Sequence, residues 1–242
     1  MPASTRLPIA PAPFHTTRWT RVCLAKADSE EGRQALADLC DAYYEPVVAY
    51  LRRALREADT ARDMSHAFFA EMLAGGRMAS ADRNHGRFRS YLLGAVKHFV
   101  SRQREMQRSL KRGGGVATLS LEADGVAEVP DDRVASADAA FDQQWALTML
   151  ERSLQALRRE CESEGRGAFF DLVRPQLTGD SVYGDQAAAA AACGMNLNAF
   201  RVAVHRLKKR LRQCVKAEIA GTLDDAAEVG DEMQRLFEAL GG

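Results

Sequence analysis

The sequence predicts an all-α fold, in two helical domains joined by a flexible linker. Apolar residues recur at spacings of three and four along most of the chain, the mark of amphipathic helices. There is no convincing alternating strand and no internal repeat. Between two basic helical stretches lies GGGVATLSLEADGVAEVPDDRVASAD, which opens on Gly113, Gly114 and Gly115, contains Pro130 and is acidic. That is linker composition.

Composition agrees. Hydrophobic residues make up 46% and charged residues 27%, ordinary for a soluble globular protein. Aromatics are only 7% and Ala is abundant, which favours helical modules over a β-sandwich. No apolar run approaches the roughly 18 residues of a membrane span. The start, MPASTRLPIAPAPFH, has no apolar core of signal-peptide length, so residues 1–13 read as a flexible leader and the protein is expected in the cytoplasm. The cysteines are Cys23, Cys40, Cys161, Cys193 and Cys214, an odd set with no C-x-x-C. Buried thiols are expected rather than a zinc site or disulfides.

In chain order, Leu36, Leu39, Cys40, Tyr43, Tyr44, Val47, Val48 and Leu51 give a wide helical face, with Pro46 predicting a kink or break. Ala67, Phe68, Met72 and Leu73 mark a second helix. Phe88, Tyr91, Leu92, Ala95, Val96, Phe99 and Val100 mark a third. Trp145, Leu147, Met149, Leu150, Leu154 and Leu157 mark a fourth.

Charge divides the chain more sharply than hydropathy. Residues 86–112 carry Arg87, Arg89, Lys97, Arg102, Arg104, Arg108, Lys111 and Arg112 against the single acid Glu105. Basic charge beside Phe88, Tyr91 and Phe99 suits single-stranded nucleic acid, although their helical spacing also fits a core role. Residues 195–216, MNLNAFRVAVHRLKKRLRQCVK, hold seven Lys or Arg and no acid. The zero net charge of the chain is therefore a cancellation against the acidic linker and tail.

Within 200–219, Phe200, Val204, Leu207, Leu211, Val215 and Ile219 form one face of a helix. Arg201, His205, Lys208 and Arg212 follow one position later, about 100° round it. Before it, AAAAAACGMN reads as a short helix ended by Gly194 in a left-handed turn, with Asn196 as the next N-cap. Small Ala190 would let the helices cross closely. Helix, Gly turn and basic helix form a helix-turn-helix pattern. In it Asn198 and Arg201 would read base edges, and the later cations would hold phosphates.

DLCDAYYEPVVAYLRRAL, DTARDMSHAFFAEML, GRFRSYLLGAVKHFVSRQREMQR, a linker and this C-terminal pattern, taken in order, resemble a bacterial RNA polymerase sigma factor of the extracytoplasmic-function group. FHTTRWTRV and QWALTMLERSL resemble a subgroup with an extended second domain. The resemblance implies a transcription initiation factor that binds core RNA polymerase and directs it to promoters. It divides the chain into leader 1–13, a region-2-like domain 14–112, linker 113–137, a region-4-like domain 138–221 and an acidic extension 222–242. The first domain would bind polymerase and melt the minus-ten element, and the second would read the minus-thirty-five element. Asp59, Asp63, Phe68, Phe69 and Glu71 fall in the polymerase-facing stretch. Arg87, Arg89, Lys97, Arg102, Arg104 and Arg108 fall where the promoter opens. Asn198, Arg201, His205, Arg206, Lys208 and Arg210 fall in the recognition helix. The implied partners are core RNA polymerase, promoter DNA and a regulatory protein such as an anti-sigma factor, with the free protein monomeric and no cofactor, metal or membrane.

Two departures stand out. Where the family motif commonly reads E-D-L-x-Q, this chain has Arg62-Asp63-Met64-Ser65-His66, which removes one negative charge. The first helix of the turn motif is nearly all Ala, which predicts looser packing there.

Three other readings compete with this one. An enzyme is disfavoured: His15, His66, His85, His98 and His205 form no H-E-x-x-H, and G-x-x-x-x-G-K, G-x-S-x-G and a strand-borne G-x-G-x-x-G are absent. A stand-alone helix-turn-helix regulator would bind duplex DNA as a dimer. A protein-binding helical adaptor would show no salt-dependent DNA affinity. The tail, with Val229, Met233, Leu236, Phe237 and Leu240, reads as an acidic amphipathic helix. Two placements are open for it: packed on the second domain, or laid over a basic DNA-binding or polymerase-binding surface.

Overall fold

The computed structural model describes residues 30–55, 58–74, 87–111, 132–179, 185–223 and 225–241. The leader, the FHTTRWTRV stretch, Cys23, His15, His85 and most of the linker lie outside them. Among the described residues there are eight α-helices and no strand. They are α1 (Glu30–Leu55), α2 (Ala58–Ala74), α3 (Phe88–Lys111), α4 (Asp132–Ser163), α5 (Gly167–Thr178), α6 (Asp185–Ala192), α7 (Leu197–Ala220) and α8 (Val229–Gly241). A 3-10 turn, Ala226–Glu228, leads into α8. The fold is all-α, as expected. No single helix among the described residues is long and apolar enough to cross a membrane.

The long helix α4 organises the bundle. Ala137, Phe141, Trp145, Met149, Leu154, Leu157 and Cys161 recur along it at helical spacing and are buried. It packs against α1, α5, α7 and α8. Buried Ser153 donates to the Met149 carbonyl at 2.6 Å, which satisfies its hydroxyl inside the helix. Arg152 then ties three helices together: its Nη1 reaches Asp41 Oδ2 on α1 at 2.7 Å, and its Nε reaches Glu218 Oε2 on α7 at 3.5 Å.

Three expectations change. Helix α4 begins at Asp132, inside the stretch 113–137 read as linker. Acidic residues suit a helix start and Ala propagates it, so an acidic, Ala-containing stretch looked like linker while folding as helix. Of the kink or break expected at Pro46, the break does not occur: helix α1 runs through it. Buried Tyr43, Val47 and Leu51 lie on one face around it, and that packing outweighs the backbone hydrogen bond lost at Pro46. The two halves do not have separate cores. The buried apolar side chains form one cluster from Leu39 on α1 to Leu236 on α8, because α4 lies along α1.

Helix α3 joins this core through large side chains. Phe88 meets Tyr43 edge-on at 4.9 Å between centroids, and Phe99 meets Phe68 at 5.5 Å. Helix α5 was not anticipated from the sequence. Phe170, Val173 and Gln176 are its buried face, and it stops at Gly179, whose φ of 88° is left-handed.

Candidate nucleic-acid interface

The turn before α7 has the local chemistry its sequence calls for. Gly194 has φ 65°, a conformation that Gly adopts at no steric cost. The Met195 N–H donates to the Ala190 carbonyl at 2.9 Å, closing the end of α6. Asn196 caps α7: its Oδ1 accepts from the Ala199 N–H at 2.8 Å. The axes of α6 and α7 meet at 95°. Ala190 is buried at the crossing, while Ala187, Ala188, Ala191 and Ala192 are exposed, so the Ala-rich helix offers little packing.

Helix α7 is split by its own period. Phe200, Val204, Leu207, Leu211, Val215 and Ile219 are buried. Asn198, Arg201, His205, Arg206, Lys208, Lys209, Arg212 and Lys216 are exposed. Among the described residues, His205, Arg206, Lys208, Lys209, Arg212 and Lys216 have no acidic partner. Arg201 Nε donates to Gln186 Oε1 at 3.2 Å, which links the two helices of the turn. Arg210 differs from its neighbours: its Nε lies 2.9 and 3.0 Å from the two carboxylate oxygens of Glu160 on α4. The Arg210 hydrogen bond holds the Glu160 carboxyl below its ordinary pKa. A cleft of about 780 Å³ flanks this end of α7, with Leu157, Glu160, Arg166, Asn198, Arg206 and Arg210 on its walls.

Arg87, just before α3, and the cations along α3 are placed very differently. Arg87 makes three contacts with the acidic tail: Glu228 at 3.1 Å, Asp231 at 3.3 Å and Glu232 at 3.3 Å. Arg89 is buried, with its Nε 3.0 Å from Glu232 Oε1. Arg89 also bonds Asp142 and lies over the Trp145 ring, 4.8 Å from its centroid. Burial alone would lower the Arg89 pKa. The hydrogen bond and charge of Glu232, then those of Asp142, more than offset it and leave it raised. Lys97 pairs with Asp138 at 2.6 Å, Arg102 pairs with Glu71, and Arg104 donates to the Ala54 carbonyl at 3.0 Å. Arg108 is exposed on the last part of the helix.

Of the polymerase-facing set, Asp59 and Asp63 are exposed on α2. Phe68 and Phe69 are buried in the core, and Glu71 is held by Arg102. Exposed His66 shares a 2.9 Å hydrogen bond with the Tyr44 hydroxyl. Burial raises the thiol pKa of Cys40, Cys161 and Cys214, Cys40 to about 11, so these are poor nucleophiles at neutral pH.

Helix α8 packs on α4 and α7, the first of the two placements open to it, and its acids also reach Arg87 and Arg89. Met233 and Leu236 are buried, but Phe237 and Leu240 of the same apolar set are exposed. The partners Asp142, Glu160 and Glu232 were missed from sequence. Glu232 carried a usable signal: it sits beside Met233 on the buried face of an amphipathic helix, where a carboxylate needs a cation. Compared with known proteins, the chain matches no family model, no curated protein and no solved structure.

Proposed function

We propose that this chain is a transcription initiation factor that binds core RNA polymerase and directs it to promoters, in the manner of the extracytoplasmic-function sigma factors it resembles. One observation carries the reading. A short helix, a tight Gly194 turn and a capped second helix meet at 95°, and the second helix turns a row of exposed cations away from the protein. The angle lies in the range used by helix-turn-helix readers. The row suits phosphates, and Asn198 and Arg201 near the helix start suit base edges. The order of motifs before it supports the polymerase-directed role, with Asp59 and Asp63 as the exposed acids of α2.

The finer proposal is a two-part reader. Helices α1 to α3 serve the minus-ten element and polymerase, and α6 and α7 serve the minus-thirty-five element. Occupying two separated sites on one promoter requires the single core to open between the halves. Polymerase and DNA would then have to favour the open form. The test is co-elution of the full-length protein with bacterial core RNA polymerase on size exclusion at moderate salt. A stoichiometric complex is expected. Salt-dependent duplex binding with no polymerase complex would instead favour a stand-alone helix-turn-helix regulator.

A further inference from the structure

The C-terminal segment approaches α3 at one point, and the approach is built from charge. Arg87 offers two edges for hydrogen bonding. Its Nε and Nη2 face Glu228 and Asp231, and its Nη1 faces Glu232. The Nε and Nη2 pair is the fork that matches two oxygens of a carboxylate or a phosphate. In this conformation carboxylates from the 3-10 turn and the first turn of α8 fill it. The three acids differ in burial. Glu232 is inside the core, whereas the side chains of Glu228 and Asp231 are 37% and 76% exposed. So the fork of Arg87 is closed by surface residues that the core does not need.

We infer that residues 225–241 are a built-in competitor for nucleic acid, in which Glu228 and Asp231 occupy the Arg87 fork that otherwise takes a backbone phosphate of single-stranded DNA. The inference rests on the DNA-binding reading of α3. It assigns the tail a regulatory part: the segment lowers the affinity of the free protein for melted DNA until a partner draws Glu228 and Asp231 off Arg87. Arg89 is not part of the exchange. It stays paired with Asp142 on α4 and packed over Trp145 whatever Glu228 and Asp231 do. Glu232 likewise remains as the anchor of α8.

The test uses the full chain and two fluorescein-labelled probes, a mixed-sequence single strand and its duplex, followed by anisotropy across a salt series. The double variant Glu228→Gln/Asp231→Asn keeps side-chain size and leaves Glu232 in place. It is expected to bind the single strand several-fold more tightly at low salt. Its slope of log affinity against log salt should steepen by about 0.7, one added phosphate contact on a single strand. Adding Arg87→Ala should remove both gains. The control Glu151→Gln/Asp171→Asn removes the same charge from exposed positions on α4 and α5 and should show neither. An equal gain in that control, or no gain in the double variant while the duplex still binds, overturns the inference alone. Failure of every variant and the parent chain to bind either probe overturns the DNA-binding reading and the inference with it.

Discussion

Arg89 Nε and Glu232 Oε1 lie 3.0 Å apart across 143 residues of chain, and both side chains are buried. The pair joins α3 to α8 inside one core. Breaking a buried pair leaves the survivor unpaired in low dielectric, a cost of roughly 3–5 kcal/mol. Glu232→Ala should therefore destabilise the protein by about 3 kcal/mol, the lower end because Asp142 still faces Arg89. Arg89→Met/Glu232→Leu should cost less than either single truncation, Arg89→Ala or Glu232→Ala. Urea denaturation of the three variants checks this, and additive costs would show that the two groups do not act as a pair.

Gly194 gives a cleaner measurement. A Cβ built there meets nothing within 4 Å, so the cost of a side chain is conformational. Gly194→Ala should lose about 1 kcal/mol, and Gly194→Asn should lose less, because Asn tolerates the left-handed region. Equal losses would mean that the turn is not what decides.

Asn196→Ala removes the cap on α7 and should cost about 1 kcal/mol. Asn196→Asp or Asn196→Ser should restore most of it. Thermal unfolding of the series separates the cap from any role of the side chain at DNA.

Alkaline pH should weaken the fold. Burial pushes Cys40 from 9.0 up to about 11, and Tyr43 and Tyr50 from 10.0 up to about 12. Each group holds its proton more tightly when folded, so unfolding releases protons. Their contribution is complete below about pH 9 and falls away between 9 and 12. Stability measured across that range should drop, and Tyr43→Phe should flatten the upper part of the fall. A flat profile in the parent protein would contradict the burial of these groups.

Lys208, Lys209 and Arg212 are exposed and have no acid beside them among the described residues. Changing all three to Gln should move folding stability by no more than about 0.5 kcal/mol at each site. Duplex DNA affinity should fall, and its salt slope should flatten by about 0.9 for each phosphate contact removed. Unchanged duplex binding would take α7 out of the interface.

What the sequence made legible was local. The period from Phe200 to Ile219, the Gly194 turn and the Asn196 cap depend on residues a few positions apart, and each appears where its spacing placed it. What it hid was distant. Nothing near Arg87 or Arg89 announces partners as distant as Asp142, Glu228 and Glu232, so two ion-paired residues read as free basic surface. The same limit applies to Phe68, which meets Phe99 on α3, and to Phe69, which stacks near Tyr44 on α1. Helix α5 escaped because its apolar pattern is short and contains Pro175, and the first turns of α4 because their acidic composition resembled the linker before them.

Helix α7 has 24 residues and so is about 36 Å long, close to one turn of B-DNA along its axis. A major groove about 12 Å wide cannot take that length end to end. If the start of the helix reads bases, the rest must be the shaft that sets its aim. Arg210 on Glu160 and Glu218 on Arg152 hold that shaft to α4 at two points along its length. What the shaft preserves is phase. One residue inserted between Arg206 and Arg210 would leave both grips closed, with Arg212 and Lys216 in place, but would turn the start of the helix, Phe200 and Val204 included, relative to them. It would swing Asn198 and Arg201 about 100° off their bearing, so the helix would still hold DNA and lose its choice of sequence.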